Sequence, residues 1–348
     1  MTLNNTGGDR PASRAWAGTR VRAYTLAVSF GLAFPVIASA QYSMRRTPET
    51  VQLEDAARRT VVTIAPAAGN LTLEMTVNGQ NILGPLGIPF LAPWANRLDE
   101  QAFYANGKRY TLNMGLGNVR GAHPIHGFLS AAVWDVVDAA ADEGAAWVTS
   151  RLDFLSQPDW MAQFPFAHTI VMTHRLRDGV LDITVALHNL SAEPMPVAIG
   201  FHPYFRLSDA VRDAWKISLG ARTEWVLADD KIPTGETRPI DRRFPDPRAA
   251  VLRDHDLDHV FADLIRDGSG HAAMSVAGKT EKIDVMFGPN YRAAVVYAPK
   301  GRDFICFEPM AAITDALNLA QRGLYKDVQY IPPGGFWKET FWIRPSGF

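Results

Sequence analysis

The sequence predicts an all-β protein, a large antiparallel β-sandwich, on three observations. The clearest is a pair of runs, His168 to Leu176 and Val180 to His188, joined by Asp178-Gly179. In the first run Ile170, Met172, His174 and Leu176 alternate with Val171, Thr173 and Arg175. A period of two with an Asp-Gly joint is the pattern of antiparallel strands linked by a two-residue turn. A second joint of this kind, Asn106-Gly107, divides the segment from Phe103 to Leu112. Third, no stretch of about 15 residues keeps a helical period, and neither a G-x-G-x-x-G following a strand nor a P-loop is present. A dinucleotide or nucleoside triphosphate site is therefore unsupported, and many short strands in one long chain point to a sandwich.

In chain order, the first segment reads as a delivery signal. Arg10, Arg14, Arg20 and Arg22 stand against the single acid Asp9, an apolar run from Ala23 to Ala38 follows, and Ala38-Ser39-Ala40 closes it. A basic segment, an apolar core short for a bilayer and a small-residue site together predict a secretory signal over residues 1–40, cut after Ala40. The alternative for the same segment is an uncleaved anchor. Cleavage places the mature chain in the periplasm or outside the cell, with no stable membrane association. Residues 41–57 are polar, with Arg45-Arg46, Pro48 and Glu49 and no apolar period, and read as a linker. The domain then spans 58–348. Its strands include Thr60 to Ile64, Leu71 to Val77, the two hairpins above and a C-terminal strand after the turn Pro332 to Gly335. No internal repeat or Pro/Ser-rich break divides it.

Composition narrows the function. The chain is 47% hydrophobic and 20% charged, as expected of a folded globular protein. Lys and Arg number 35 against 36 Asp and Glu. That balance gives no electrostatic reason to bind nucleic acid. The one cysteine, Cys306, forms no intrachain disulfide and no thiolate metal cluster, and its setting in Phe-Ile-Cys-Phe suits a small core residue.

Polar residues set beside aromatics and proline in apolar stretches are the informative ones, because burial without partners is costly. Five segments qualify: Pro93-Trp94-Ala95-Asn96-Arg97-Leu98, His123-Pro124-Ile125-His126-Gly127-Phe128, Gly200-Phe201-His202-Pro203-Tyr204-Phe205, Leu257-Asp258-His259-Val260-Phe261, and Ile305-Cys306-Phe307-Glu308-Pro309. Singly, each has a bland reading. His202 could be a core histidine, Glu308 a strand-end carboxylate bonded to amides, Arg97 a structural ion-pair partner, and Asp258 part of a solvated charged loop.

In their order and wording together, these segments resemble the aldose 1-epimerase (galactose mutarotase) family from about Arg58 to Ile343. The matching elements are Asn96-Arg97, His126-Gly127, Gly-x-His-Pro-Tyr-Phe at Gly200 to Phe205, Leu-Asp-His-x-Phe at Leu257 to Phe261, and Glu308-Pro309 with Asn318 downstream. Pro233-Thr234-Gly235 and the Pro-Pro-Gly before the last strand also fit. The chain departs from the family in the Pro-Trp-Ala before Asn96 and in Phe128, where a second glycine is usual. The resemblance implies the galactose-mutarotase-like supersandwich and a small-molecule sugar substrate. It also implies His202 as general acid, Glu308 as general base, and Asn96, Arg97, His126 and Asp258 as sugar-binding residues. His123 and His259 have no counterpart.

Anomer exchange needs one proton removed and one delivered, so the expected enzyme is a cofactor-independent isomerase with no metal. Three rivals remain: a glycosidase built on Asp258 and Glu308, a sugar-binding sandwich without chemistry, and a hexose-phosphate mutarotase. The last needs extra cations near the pocket, for which Arg206, Arg292 and Arg302 are candidates.

Overall fold

The computed structural model describes residues 40–115 and 117–348, and the leader expected over residues 1–40 lies outside them except for Ala40. Three antiparallel sheets carry most of the described chain. The largest has nine strands, in the order Asp135–Ala141, Ala146–Asp153, His168–Arg177, Val180–Asn189, Phe336–Ser346, Lys282–Phe287, Ala272–Ala277, Lys216–Leu219 and Ala250–Val251. The second runs Pro233–Pro239, Ala221–Leu227, Leu257–Leu264, Ala293–Ala298, Ile305–Met310, Gly200–Phe201 and Phe90–Leu91, with Tyr204–Phe205 also paired to Ile305–Met310. A five-stranded sheet covers Tyr42 to Asn81. Helix is confined, among the described residues, to two six-residue α-helices, Pro158–Gln163 and Ala316–Gln321, and four short 3₁₀ turns.

The expected hairpins form where the turn chemistry places them. Asp178 and Gly179 take φ of 53° and 74°, and Asn106 and Gly107 take 51° and 73°. Two successive positive φ values are what a tight hairpin turn demands and what Asp-Gly and Asn-Gly tolerate. The register follows the alternation, setting Ile170 opposite Leu187, Met172 opposite Val185 and Leu176 opposite Leu181, all buried. Each such side chain contributes roughly 1.5–3 kcal/mol by leaving water. Across the sandwich, Phe201 of the second sheet meets Phe341 of the first at 4.8 Å between ring centres.

Residues 41–57 are not a linker. Tyr42–Arg46 and Val51–Asp55 are paired strands of the five-stranded sheet, and the domain begins at Tyr42. Tyr42, Val51 and Leu53 are buried, while Arg45, Arg46 and Glu54 face solvent. A strand with one wet face needs an apolar residue only at alternate positions, so a mostly polar composition conceals it. The segment is also tied to the central hairpin: the Asp178 amide donates to Tyr42 Oη at 3.1 Å and the Gly179 amide to Asp55 Oδ2 at 2.9 Å.

One core residue makes stability depend on acid. His174 points inward opposite Ile183, its Nδ1 has no hydrogen-bond partner, and burial pushes its pKa down to about 3. In the unfolded chain the imidazole titrates near 6.5, so from there downward the unfolded state binds a proton that the fold refuses. The stabilisation is complete above about pH 6.5 and is lost as pH falls toward 3. At about pH 5 this one residue should cost about 2 kcal/mol relative to neutral pH. His174→Leu should therefore narrow the gap between urea midpoints at neutral and mildly acidic pH, and an unchanged gap would show that His174 is not responsible.

Candidate active site

The second sheet turns one face away from the core, and its register gathers the polar residues there. Asp258 pairs with Tyr297, Tyr297 with Cys306, and Cys306 with Tyr204. Directly opposed residues of antiparallel strands share a face, so these four form one row across four strands, and Glu308, two residues beyond Cys306, lies on the same face. Cys306 is buried, the small residue between two tyrosines.

His202 sits where the chain breaks between the short strands Gly200–Phe201 and Tyr204–Phe205. Pro203 has no amide hydrogen to donate, so the ladder is interrupted there. The His202 and Tyr204 amides instead donate to the carbonyls of Pro89 and Gly87, both at 3.0 Å. Gly200 is required for the approach: a Cβ would lie 2.6 Å from Met310 Sδ and 3.0 Å from Ala95 Cβ.

Asn96, Arg97 and His126 come from the loops above. Asn96 and His126 both adopt left-handed backbone, with φ of 60° and 61°, a conformation that costs energy and recurs at functional sites. They lock each other: the His126 amide donates to Asn96 O at 3.0 Å and the Asn96 amide to His126 Nδ1 at 3.2 Å. With Nδ1 accepting, the neutral ring carries its proton on Nε2. Burial, with the charges of Arg97 and Arg120, pushes His126 down to about 4, so it is neutral at physiological pH. Gly127, at φ 59°, packs so tightly on the Ala92 carbonyl that no Cβ fits.

Asn96 Oδ1 accepts from both the amide and Nη1 of Arg97, at 2.9 and 3.1 Å, and Arg97 Nη2 lies 3.7 Å from Asp258 Oδ2. Behind Arg97, Asn318 Nδ2 donates to the carbonyls of Asp99 and Ala102 and to Asp315 Oδ1, fixing the loop that follows.

The result is a cavity of about 290 Å³ lined by Asn96, Arg97, His126, His202, Asp258 and Glu308, so the structure brings together all six residues singled out from the sequence. At its floor, His202 Nε2 lies 3.3 Å from Glu308 Oε1 and 3.4 Å from Tyr204 Oη. The His202 and Tyr204 rings stack at 4.4 Å. Burial raises the Glu308 carboxyl well above the usual carboxylate range; Asp258 adds to this and Arg97 opposes it. Burial pushes His202 down to about 3, aided by its proximity to His126. Both groups thus resist carrying charge alone, and together they hold one proton over a wide pH range. Glu308 Oε2 and His202 Nδ1 have no hydrogen-bond partner within the protein.

The cavity also contains residues the sequence reading did not assign: Asn118, Arg120, Tyr204 and Tyr297. Tyr204 stood within the quoted Gly200 to Phe205 segment, and Tyr297 is the one side chain with a hydroxyl in the apolar strand Ala293–Ala298. Arg206, Arg292 and Arg302 do not line it, and Arg206 belongs to a separate surface cavity with Asp303. His123 bonds to the Leu98 carbonyl and Asp230, and His259 Nδ1 accepts from the Asp258 amide within the strand Leu257–Leu264; neither lines the cavity. Among the described residues, no group of three or more His, Cys, Asp or Glu is placed to hold a metal ion.

A family model described as aldose 1-epimerase matches residues 53–344. The chain belongs to the aldose 1-epimerase family. Solved structures share its fold. A galactose mutarotase-like protein from Clostridium acetobutylicum superposes with a TM-score of 0.77 at 19% identity, covering 88% of this chain and 98% of that one. Galactose 1-epimerase from Lactobacillus acidophilus gives 0.70 at 17% identity, covering 88% and 98%. A protein from Escherichia coli K12, YphB, is 24% identical over 247 residues, covering 70% of this chain and 78% of its own length. The supersandwich expected from the aldose 1-epimerase resemblance is the fold observed.

Proposed function

We propose that this aldose 1-epimerase family member interconverts the α and β anomers of a free aldohexose by acid/base ring opening, with Glu308 as base and His202 as acid. The observation that carries the reading is the buried His202–Glu308 contact of 3.3 Å at the floor of a cavity walled by hydroxyl-binding groups. Glu308 takes the proton from the C1 hydroxyl, the freed electron pair makes C1 a carbonyl, the bond from C1 to the ring oxygen breaks, and that oxygen takes the His202 proton. Rotation about C1–C2 and the reverse steps close the ring as the other anomer.

Starting the cycle requires the pair to hold one proton, on His202, with Glu308 ionised. Burial of both groups favours that one-proton inventory with the proton resting on Glu308. Its passage to His202 across the 3.3 Å contact, with Arg97 stabilising the carboxylate against the charge of Asp258, sets up the reactive form. Each transfer contributes about 10²–10⁴-fold. Arg97 offers donors in a fixed fork, Asp258 two acceptor oxygens and His126 its Nε2–H, a set matched to ring hydroxyls. The chemistry transfers protons only and calls for no cofactor.

The test is polarimetry on freshly dissolved α-D-glucose and α-D-galactose. Relaxation well above the buffer rate supports the proposal. Saturable sugar binding at the buffer rate would leave a binding protein, and release of reducing sugar from an aryl glycoside would leave a glycosidase.

The leader carries a second proposal, that the chain is exported to the periplasm or beyond and cut after Ala40. Cleavage there would leave the Tyr42 strand whole. N-terminal sequencing of exported protein should begin at or next to Gln41, and an N-terminus at Met1 would overturn it.

A further inference from the structure

We propose that the sugar carries a carboxylate, as a hexuronic acid does, and that Arg120 on the rim of the cavity binds it; this rests on the mutarotase reading above. Arg120 ends the short strand Val119–Arg120, which pairs with His123–Pro124 around Gly121 at φ 62°, so it is held by a hairpin at the mouth. It is exposed, lines the cavity, and among the described residues lies in no ion pair.

The other charges around the cavity are matched. Arg97 faces Asp258, and Glu308 meets His202. His126 is neutral because burial depresses it to about 4. With one proton shared by His202 and Glu308, the remaining uncompensated charge on the described lining is the Arg120 guanidinium. A neutral sugar leaves it unmatched, whereas a monoanion neutralises the site. A guanidinium fork binds a carboxylate through two parallel hydrogen bonds.

The position agrees with the chemistry. The ring oxygen must face His202, and the carboxylate of a hexuronic acid hangs from C5, the atom bonded to that oxygen on the side away from C1. It therefore falls on the His202 side of the site. The Arg120 charge is felt by His126 and Tyr204, whose rings flank His202 at 5.5 and 4.4 Å, and by Tyr297. A phosphate monoester carries about −1.5 to −2 and calls for a second cation. Arg206, Arg292 and Arg302 do not line the cavity, and although the Arg302 charge also reaches Tyr297, one cation on the lining makes a single negative charge the better fit.

The experiment is anomer exchange measured by NMR at equilibrium on D-glucuronate, D-galacturonate, D-glucose, D-galactose and D-glucose 6-phosphate. At least one uronate should exceed its parent hexose in kcat/KM by about 10-fold, the worth of one charge-assisted contact. Arg120→Gln should reduce that uronate-to-hexose ratio about 10-fold, mainly through KM, and Arg120→Lys should retain part of it. A wild-type ratio at or below unity, or a ratio that Arg120→Gln leaves in place, overturns the proposal. Preference for the 6-phosphate over both uronates overturns the carboxylate assignment in favour of phosphate. Turnover of neutral hexoses alone defeats this inference but leaves the mutarotase reading standing, whereas no turnover of any sugar defeats both.

Discussion

Glu308→Gln and His202→Asn should each lower kcat by at least about 10²-fold while leaving a folded protein. Gln replaces the carboxylate with a group of nearly the same shape that does not take up the C1 hydroxyl proton. Asn keeps a polar side chain at 202 but has no proton acidic enough to transfer to the ring oxygen. The fold should tolerate both changes. Burial already drives Glu308 toward its neutral form and His202 toward the uncharged imidazole, so neither replacement strands a buried charge that the native protein kept paired. Polarimetry gives the rate and thermal unfolding checks the fold. If folded Glu308→Gln retains near-normal kcat, Glu308 is not the base. The double variant should lose far less than the sum of the single losses in free energy, because two groups that share one proton act as a unit. Additive losses would mean that they act separately.

The sheet is legible in the sequence wherever local chemistry dictates it. Asp178-Gly179 and Asn106-Gly107 sit where the backbone takes two successive positive φ values, and the alternation from Ile170 to Leu176 fixes which face is buried. His202 and Glu308 could be picked out because each is a titratable side chain in an apolar run, where burial without a function is expensive. Tyr297 was not legible: Ala-Ala-Val-Val-Tyr-Ala reads as a core strand, and only its register opposite Asp258 and Cys306 turns it toward the site. Pairing between strands tens of residues apart leaves no trace in either segment alone. Arg120 was missed for a related reason. It lies among Gly117, Asn118 and Gly121, where a charged residue reads as a solvated loop, and its meaning depends on what the hairpin leans over.

The residues misread as a linker carry the other large expected effect. A chain beginning at Gln41 should fold and keep its activity, whereas one beginning at Arg58 should be severely destabilised or insoluble. The shorter chain loses Tyr42–Arg46 and Val51–Asp55, two of the five strands in their sheet, and with them the buried side chains of Tyr42, Val51 and Leu53. At roughly 1.5–3 kcal/mol each, these three alone amount to about 6 kcal/mol, comparable with the 5–15 kcal/mol by which native domains are stable. Two further consequences add to the loss. Thr60–Ala65 becomes an open edge with unpaired backbone groups, a template for association. The Asp178-Gly179 turn loses the Tyr42 and Asp55 partners of its amides. The comparison is soluble yield, urea midpoint and mutarotation rate for the two chains side by side. An Arg58 chain with the same midpoint as the Gln41 chain would show that the first two strands are an accessory to the sandwich and not part of it.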